Sequence, residues 1–376
     1  MADRKVTRRQ FVQTGAAAAA GVAAGFLAAN AAEPDTKKAL NFNQNMEYRR
    51  LGKTGLDVSA VCLGGHWKRV QARPGTTEFA KNRHDVISAC IDCGINYVDA
   101  CCGGEVEAYA EAFRGRRDKM FFGFSWYEHE MRFQGWQTEE KLTQAIDEGL
   151  QKAKLDYVDL WRITCYWEPQ TNHTLAHEEA ICNALSKARK AGKARFTGIS
   201  THKHDWVIRM IQKYPEDIQV VVVPYTAGSK QAPARVDPDG SQKAWKAVPG
   251  GEAAYDEPIT SVMDAVKKHK VGWFGIKPFA SGSVFKSRGA VNPSTQKEDD
   301  ERARLTLRYI LASNDALTAP IPGLITVDQV NNAAKAVVER RQLDLTETRR
   351  LDRAVEEMWA NLPTGYGWLK REWEWV

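Results

Sequence analysis

The sequence predicts an α/β protein folded as a single (β/α)8 TIM barrel. Three observations point there. Between residues 58 and 339, short apolar runs alternate with amphipathic stretches. Units of that length build a parallel sheet, and eight of them close it into a barrel. No Gly-x-Gly-x-x-Gly follows an early strand, so the usual dinucleotide signature of the alternative, a doubly wound open sheet, is missing. The apolar run Ile95-Asn96-Tyr97-Val98 ends on Asp99. A carboxylate at the end of a buried strand is costly unless paired, and strand ends are where parallel barrels assemble their sites.

In chain order, residues 58–63 form the first strand, which stops at Gly64-Gly65. Residues 84–93 place Val86, Ile87, Cys90 and Ile91 on one helical face, with Gly94 past its end. Residues 96–100 are the second strand, 105–114 a helix and 120–126 the third strand. Thr138-Glu139-Glu140-Lys141 opens a long helix, with Leu142, Ile146, Leu150 and Ala153 spaced for burial. Strands at 158–164, 195–200 and 218–223 then alternate with helices at 175–191 and 205–213. The pattern continues with helix 261–269, strand 271–279, helix 299–313, strand 318–324 and helix 327–339. The barrel is placed at residues 47–345, preceded by a polar linker over 32–46.

The 376 residues are 43% hydrophobic and 27% charged, which suits a globular enzyme with a large core. The net charge of +6 is spread among interspersed acids and bases, so a nucleic-acid partner is not expected. The N-terminus has the form of a signal peptide over residues 1–31. Arg8-Arg9 precedes an apolar residue, an Ala-rich stretch follows, and Ala29-Asn30-Ala31 has the small-x-small pattern of a cleavage site. The adjacent arginines point to the twin-arginine route, its export machinery, and a periplasmic or other extracytoplasmic address. The stretch is too short and too mildly apolar for an integral membrane span. The seven cysteines are an odd number, which leaves at least one thiol unpaired.

Two segments stand outside the repeat. Residues 227–258 are a polar insertion rich in Pro and Gly, long enough for a lid. Residues 346–376 form a C-terminal helix and a tail carrying Tyr366, Trp368, Trp373 and Trp375. So many aromatics imply docking, onto the barrel or onto a protein partner.

Several motifs in order resemble the aldo-keto reductase family. Tyr48-Arg49-Arg50-Leu51-Gly52-Lys53-Thr54-Gly55 resembles its opening hairpin, and Gly94-Ile95-Asn96-Tyr97-Val98-Asp99 its second strand with the catalytic aspartate. Leu155-Asp156-Tyr157-Val158-Asp159-Leu160, Gly192-Lys193-Ala194-Arg195-Phe196-Thr197-Gly198-Ile199-Ser200 and Pro320-Ile321-Pro322-Gly323 resemble the approaches to strands four, five and eight. The resemblance spans roughly residues 46–340 and implies the same barrel.

It also implies a four-residue machine of Asp, Tyr, Lys and His, of which only Asp99 is present. The Tyr position falls on Gly104, the Lys position on Ser125 and the His position on Thr164. Hydride delivery to a carbonyl needs a proton donor or a positive group at once. The acid/base set is therefore expected to be non-standard. Candidates are Cys101 and Cys102, which follow Asp99, Ser125, Thr164, and Tyr127 as a replacement phenol; Tyr166, Glu105 and Glu128 stand nearby in sequence. Cys101, Cys102, Cys165 and His66 all follow strand ends, so a metal or a thiol pair at the mouth is an alternative.

For a cofactor the resemblance implies NAD(P). Ser200 stands where the family uses a hydroxyl near the carboxamide. Tyr225 resembles the ring that stacks on the nicotinamide. Ser281 and Gly282 lie in Lys277-Pro278-Phe279-Ala280-Ser281-Gly282, which resembles the pyrophosphate loop. Gly323, Thr326 and Gln329 lie where the adenosine phosphate is gripped. The expectation is an exported NAD(P)-dependent oxidoreductase acting on a small carbonyl or alcohol substrate. The alternatives on the same barrel are a metal- or thiol-centred enzyme and a non-catalytic binding protein.

Overall fold

Seven parallel strands in sequential order curl into a barrel wall, and a short segment of backbone closes it. The computed structural model describes residues 39–65, 70, 72–165, 173–231, 259, 261–289, 292–339 and 341–376. The expected signal peptide at 1–31, residues 32–38 of the expected linker, His66, Tyr166 and most of the 227–258 insertion lie outside the described residues.

An antiparallel hairpin, β1 (Tyr48–Arg50) and β2 (Asp57–Ser59), precedes the barrel. The wall runs β3 (Tyr97–Ala100), β4 (Phe121–Phe124), β5 (Val158–Thr164), β6 (Ala194–Ser200), β7 (Val220–Pro224), β8 (Gly272–Ile276) and β9 (Ala319–Pro320). The predicted strand over 58–63 is divided. Val58 and Ser59 pair with β1, and the chain then bends into the gap between β9 and β3. There Cys62 N donates to Pro320 O at 3.1 Å, Leu63 N to Tyr97 O at 3.0 Å, and Gly64 N to Pro322 O at 2.8 Å. This is the eighth stave.

Helices α1 (Thr77–Asp92), α2 (Gly103–Ala112), α3 (Glu139–Ala153), α4 (Leu175–Lys190), α5 (His204–Lys213), α6 (Val262–His269), α7 (Gln296–Ser313) and α8 (Val327–Val338) follow the staves. Local chemistry sets their ends. Thr138, Ser261 and Thr326 accept from the backbone three residues on, satisfying donors that a helix start leaves open. Gly94 lies at φ 83°, and a Cβ there would meet Asn43 Cβ at 2.5 Å and the Tyr48 hydroxyl at 2.7 Å. Only glycine fits that turn.

Alternation along each strand sorts side chains into two cores. Tyr97, Phe121, Leu160, Val220, Val222 and Phe274 fill the barrel, with Tyr97 stacked on Phe274 at 4.2 Å between centroids. The intervening residues, such as Trp161, Ile163, Val221, Val223 and Trp273, face the helices. Two further helices, α9 (Leu345–Ala360) and α10 (Gly367–Trp373), carry the tail.

The aromatic tail docks on its own barrel. Trp368, Trp373 and Val376 are buried, Ser229 Oγ donates to Trp373 O at 2.8 Å, and Val376 N donates to Lys230 O at 2.9 Å. Trp375 alone among the tail tryptophans stays exposed, beneath the Lys230 ammonium. No helix among the described residues is long and apolar enough to cross a membrane.

Candidate active site

Asp99 is buried at the C-terminal end of β3, on the inward face with Tyr97. Its partner comes from two strands away. Arg162 projects inward from β5 and grips the carboxylate with two hydrogen bonds, Nε to Oδ1 at 3.0 Å and Nη2 to Oδ2 at 2.5 Å. The Tyr97 hydroxyl adds a third contact at 3.3 Å. Gly123 on β4 makes room, because a Cβ there would collide with the Tyr97 hydroxyl and approach Asp99 Oδ1 to 2.9 Å. Burial alone would weaken the Arg162 charge, but Asp99 more than offsets it and holds the guanidinium protonated. Burial, with Asp99 beside it, pushes the Tyr97 phenol well up.

The expected catalytic positions Ser125 and Thr164 meet as a buried chain. Arg162 Nη1 donates to Thr164 Oγ1 at 3.0 Å, Thr164 Oγ1 and Ser125 Oγ lie 2.6 Å apart, and Ser125 Oγ donates to Glu130 Oε2 at 2.6 Å. Ser125 gives its one hydroxyl proton to the bond with Glu130, so in the bond between the two hydroxyls Thr164 donates and Ser125 accepts. Glu130 also accepts from Thr164 N at 2.7 Å, Trp126 N at 3.0 Å and Trp161 Nε1 at 3.3 Å. Burial pushes its carboxyl up, and these donors with the Arg162 charge pull it back. Arg162 is thus the cation between two buried acids. Ser125 and Thr164 connect them and are almost fully buried.

Above this layer, Tyr127 sits on a one-turn 3-10 helix with its backbone N–H on Cys101 O at 3.3 Å. Its ring lies 5.3 Å beneath the Arg132 guanidinium. Burial, Glu128 and the two adjacent thiols raise its phenol above the ordinary value, and Arg132 opposes them. Cys101 is hydrogen-bonded to Cys102, and with burial this pushes its thiol well up. A thiol held protonated in this way is a poor nucleophile. Glu105 Oε2 accepts from Cys101 N at 2.8 Å and Glu128 Oε2 from Gly103 N at 3.2 Å. Both carboxylates therefore serve the start of α2.

Two expectations are corrected by strand alternation. Cys165 has the outward parity of Trp161 and Ile163. Its thiol donates to Ile163 O at 3.4 Å and burial pushes it well up, so it does not join Cys101 and Cys102. Among the described residues no three His, Cys, Asp or Glu side chains converge as metal ligands, and the metal centre loses its support. Tyr225 has the outward parity of Val221 and Val223. It packs edge-on against Trp273 at 5.4 Å, with its hydroxyl 3.2 Å from Ser313 Oγ on α7. It is not placed to stack on a nicotinamide; Ile276, at the end of β8, takes the inward place.

The phosphate side fits a dinucleotide better. Lys277, Ala280, Ser281 and Gly282 all have positive φ, and the loop closes on itself, with Ala280 N donating to Lys277 O at 2.9 Å, Gly282 N to Phe279 O at 2.8 Å and Ser283 N to Ala280 O at 3.2 Å. Within that loop the Ser283 hydroxyl is buried with no partner. Ser281 and Gly323 are exposed, and Gly323 bridges to Gly64. Thr326 and Gln329 are occupied in the cap of α8, with Thr326 Oγ1 accepting from Gln329 N at 3.2 Å and Gln329 Oε1 from Ile325 N at 2.8 Å. Ser200 lies nearly buried at the end of β6, paired with Thr164.

Over residues 61–237 the sequence matches the model of the aldo/keto reductase family. The chain is aldo-keto reductase-like. A 6-dehydroglucose reductase of Novosphingobium aromaticivorans is 24% identical over 256 residues, covering 58% of this chain and 76% of that protein. An L-galactose dehydrogenase of Arabidopsis thaliana is 24% identical over 340 residues, 80% of this chain and 91% of that protein. An aldo-keto reductase structure from Klebsiella pneumoniae, in complex with NADPH, superposes with a TM-score of 0.56 at 18% identity. That match covers 82% of this chain and 94% of the other.

Sequence reasoning named Asp99 and passed over its partners. Arg162 carried a readable signal, a cation inside the apolar strand Leu160-Trp161-Arg162-Ile163 with the parity of Thr164. Glu130 carried none, because a loop folds it back under Ser125.

Proposed function

We propose that the protein is an exported NAD(P)-dependent oxidoreductase that reduces a small carbonyl compound, or oxidises the corresponding alcohol, with a rebuilt acid/base set. The observation that carries this reading is the Asp99–Arg162 pair at the C-terminal mouth of an aldo-keto reductase-like barrel. The sugar substrates in the names of two curated relatives favour a carbonyl on a polyhydroxylated carbon chain. Twin arginines and a small-x-small site support export by the twin-arginine route.

When bound along the 277–283 loop, the nucleotide supplies the hydride. The protein's own groups supply the rest. Tyr127, protonated at neutral pH, donates its phenolic proton to the carbonyl oxygen. Arg162 replaces the ammonium of an ordinary site with a guanidinium that stays charged. It neutralises Asp99, so that no uncompensated buried anion faces the forming alkoxide. The Glu130–Ser125–Thr164 chain fixes the rotamer of Arg162.

Titrating the protein with NADPH and with NADH while following tryptophan fluorescence tests nucleotide binding. Saturable quenching is expected, and its absence with both nucleotides rules the reading out. Oxidation of NADPH at 340 nm with glyceraldehyde then tests the chemistry. Tyr127→Phe is expected to lower kcat about 10²-fold or more, the usual contribution of a positioned acid, with KM little changed.

A further inference from the structure

The C-terminal tail is tied to the turns after three consecutive strands, at the end of the barrel where the site opens. After β6, Trp368 stacks on the His202 ring at 4.0 Å between centroids, and Trp373 Nε1 donates to His202 O at 2.8 Å. After β7, Ser229 Oγ donates to Trp373 O at 2.8 Å. After β8, the Lys277 ammonium lies 5.3 Å from the centre of the Tyr366 ring and 5.7 Å from that of Trp368. One indole therefore touches residues on both sides of β7. His202 stands two residues beyond Ser200, and Lys277 opens the 277–283 loop. On the oxidoreductase reading, that is the course of the dinucleotide. Trp368 is only 9% exposed. With His202 stacked on it and the Lys277 ammonium against it, the indole offers no open face to a nicotinamide.

The tail has an anchored part and a hinged part. Leu369, Trp373 and Val376 are fully buried. Val376 N donates to Lys230 O at 2.9 Å and Lys230 N to Glu374 O at 2.7 Å. These contacts hold the far end. At the near end, Tyr366 stands between Gly365 and Gly367. Gly365 lies at φ 82°, and a Cβ on either glycine would meet nothing within 4 Å. Glycine has the widest backbone freedom, and no packing opposes rotation at these two points. α10 also begins at Gly367 without a side-chain cap, so its first turn is the part that opens at least cost.

The hold on Lys277 is of a kind that an anion can break. Among the described residues no carboxylate pairs with its ammonium, which has the two rings. A cation beside an aromatic ring gains less than the same cation against a phosphate oxygen, where the hydrogen bond is charge-assisted. A diphosphate and the rings thus compete for one ammonium, which is the differential interaction that a ligand-driven change requires.

We propose that Tyr366 and Trp368 form a flap that closes the nucleotide groove of the free protein and swings out on Gly365 and Gly367 when a dinucleotide binds. Trp373 and Val376 stay seated as its anchor. The identity of the ligand rests on the oxidoreductase reading. The apparent affinity for nucleotide is the intrinsic one reduced by the fraction of molecules with the flap open. Removing the indole therefore tightens binding.

NADPH is titrated into the wild type, Trp368→Ala and Trp375→Ala, each as the full chain, with the emission of the nucleotide itself as the signal. Trp368→Ala is expected to bind about tenfold more tightly than the wild type. Trp375→Ala, which alters the exposed ring of the tail, should match the wild type. Thermal melting confirms that each variant folds. Equal affinity in Trp368→Ala and the wild type overturns the flap, and so does weaker affinity, which makes the indole a support for the nucleotide. A second measurement needs no variant. Amide hydrogen exchange of the wild type should rise over residues 365–369 on adding NADPH and stay unchanged over 373–376. Unchanged exchange or added protection over 365–369 overturns the proposal. Failure of all three proteins to bind NADPH or NADH removes the oxidoreductase reading and the flap together; equal binding by all three removes the flap alone.

Discussion

Replacing Arg162 with methionine removes the one cation that two buried acids share. Methionine keeps the length and bulk of the stem, so the cavity term is small. Lost are two hydrogen bonds to Asp99, one to Thr164 and the positive charge. Asp99 is then left buried with the Tyr97 hydroxyl as its contact. Orphaning one member of a buried ion pair costs about 3–5 kcal/mol. For a folded unit of roughly 340 residues the unfolding entropy is about 0.7 kcal/mol/K, so the melting temperature should fall by about 4–7 °C. Differential scanning calorimetry on the purified protein reads this directly. The double variant Asp99→Asn/Arg162→Met should recover part of the loss, with a coupling of about 2–3 kcal/mol in the cycle. A single variant that melts within 1 °C of the wild type, or a cycle with no coupling, refutes the account of a buried pair.

Glu130→Gln should destabilise by about 2–3 kcal/mol, because either orientation of the amide sets its NH2 against a fixed donor, Thr164 N on one side or Trp126 N and Trp161 Nε1 on the other. Urea unfolding measures it, and an unchanged midpoint counts against the chain. Glu178→Gln should cost stability by a similar amount, since Glu178 ties Arg209, Lys213 and Trp206 of α5 and its C-terminal turn to α4; proteolysis or calorimetry reads the loss. His173 is held neutral by burial against Trp206, its pKa lowered to about 3 from the ordinary 6.5. Below pH 6.5 the unfolded chain therefore binds a proton that the folded chain refuses, and stability falls as pH drops from about 6.5 toward 3. His173→Gln should flatten that part of the stability–pH curve, and an unaltered curve would count against the burial account.

Asp99 and Asp159 show how far residue type alone can be read. Both are aspartates in apolar strands, and both are almost fully buried. Asp159 lies near the start of β5, where Arg117 at 2.5 Å, Arg195 at 2.8 Å and Phe122 N at 2.8 Å lock it. That is the closed N-terminal end of a barrel, where paired charge holds the wall together. Asp99 lies at the open end, and its place at a strand terminus was legible in the sequence. The hydroxyls of Ser125 and Thr164 at neighbouring strand ends were legible too. Their partner was not, because Glu130 reaches Ser125 and Thr164 through a loop whose path no periodicity records.

The sequence by itself determined the barrel, its eight staves and the place of Asp99, since those follow from local alternation and from which residues a strand end can bury. Alternation also contained the outward parity of Cys165 and Tyr225, once strand boundaries were fixed by pairing. Only the tertiary structure decided the partners: Arg162 for Asp99, Glu130 for the two hydroxyls, and the tail rings for Lys277. A charged side chain in a core settles on whichever opposite group, donor or ring lies within a few ångströms. That neighbour is set by how distant strands and loops are brought around one mouth.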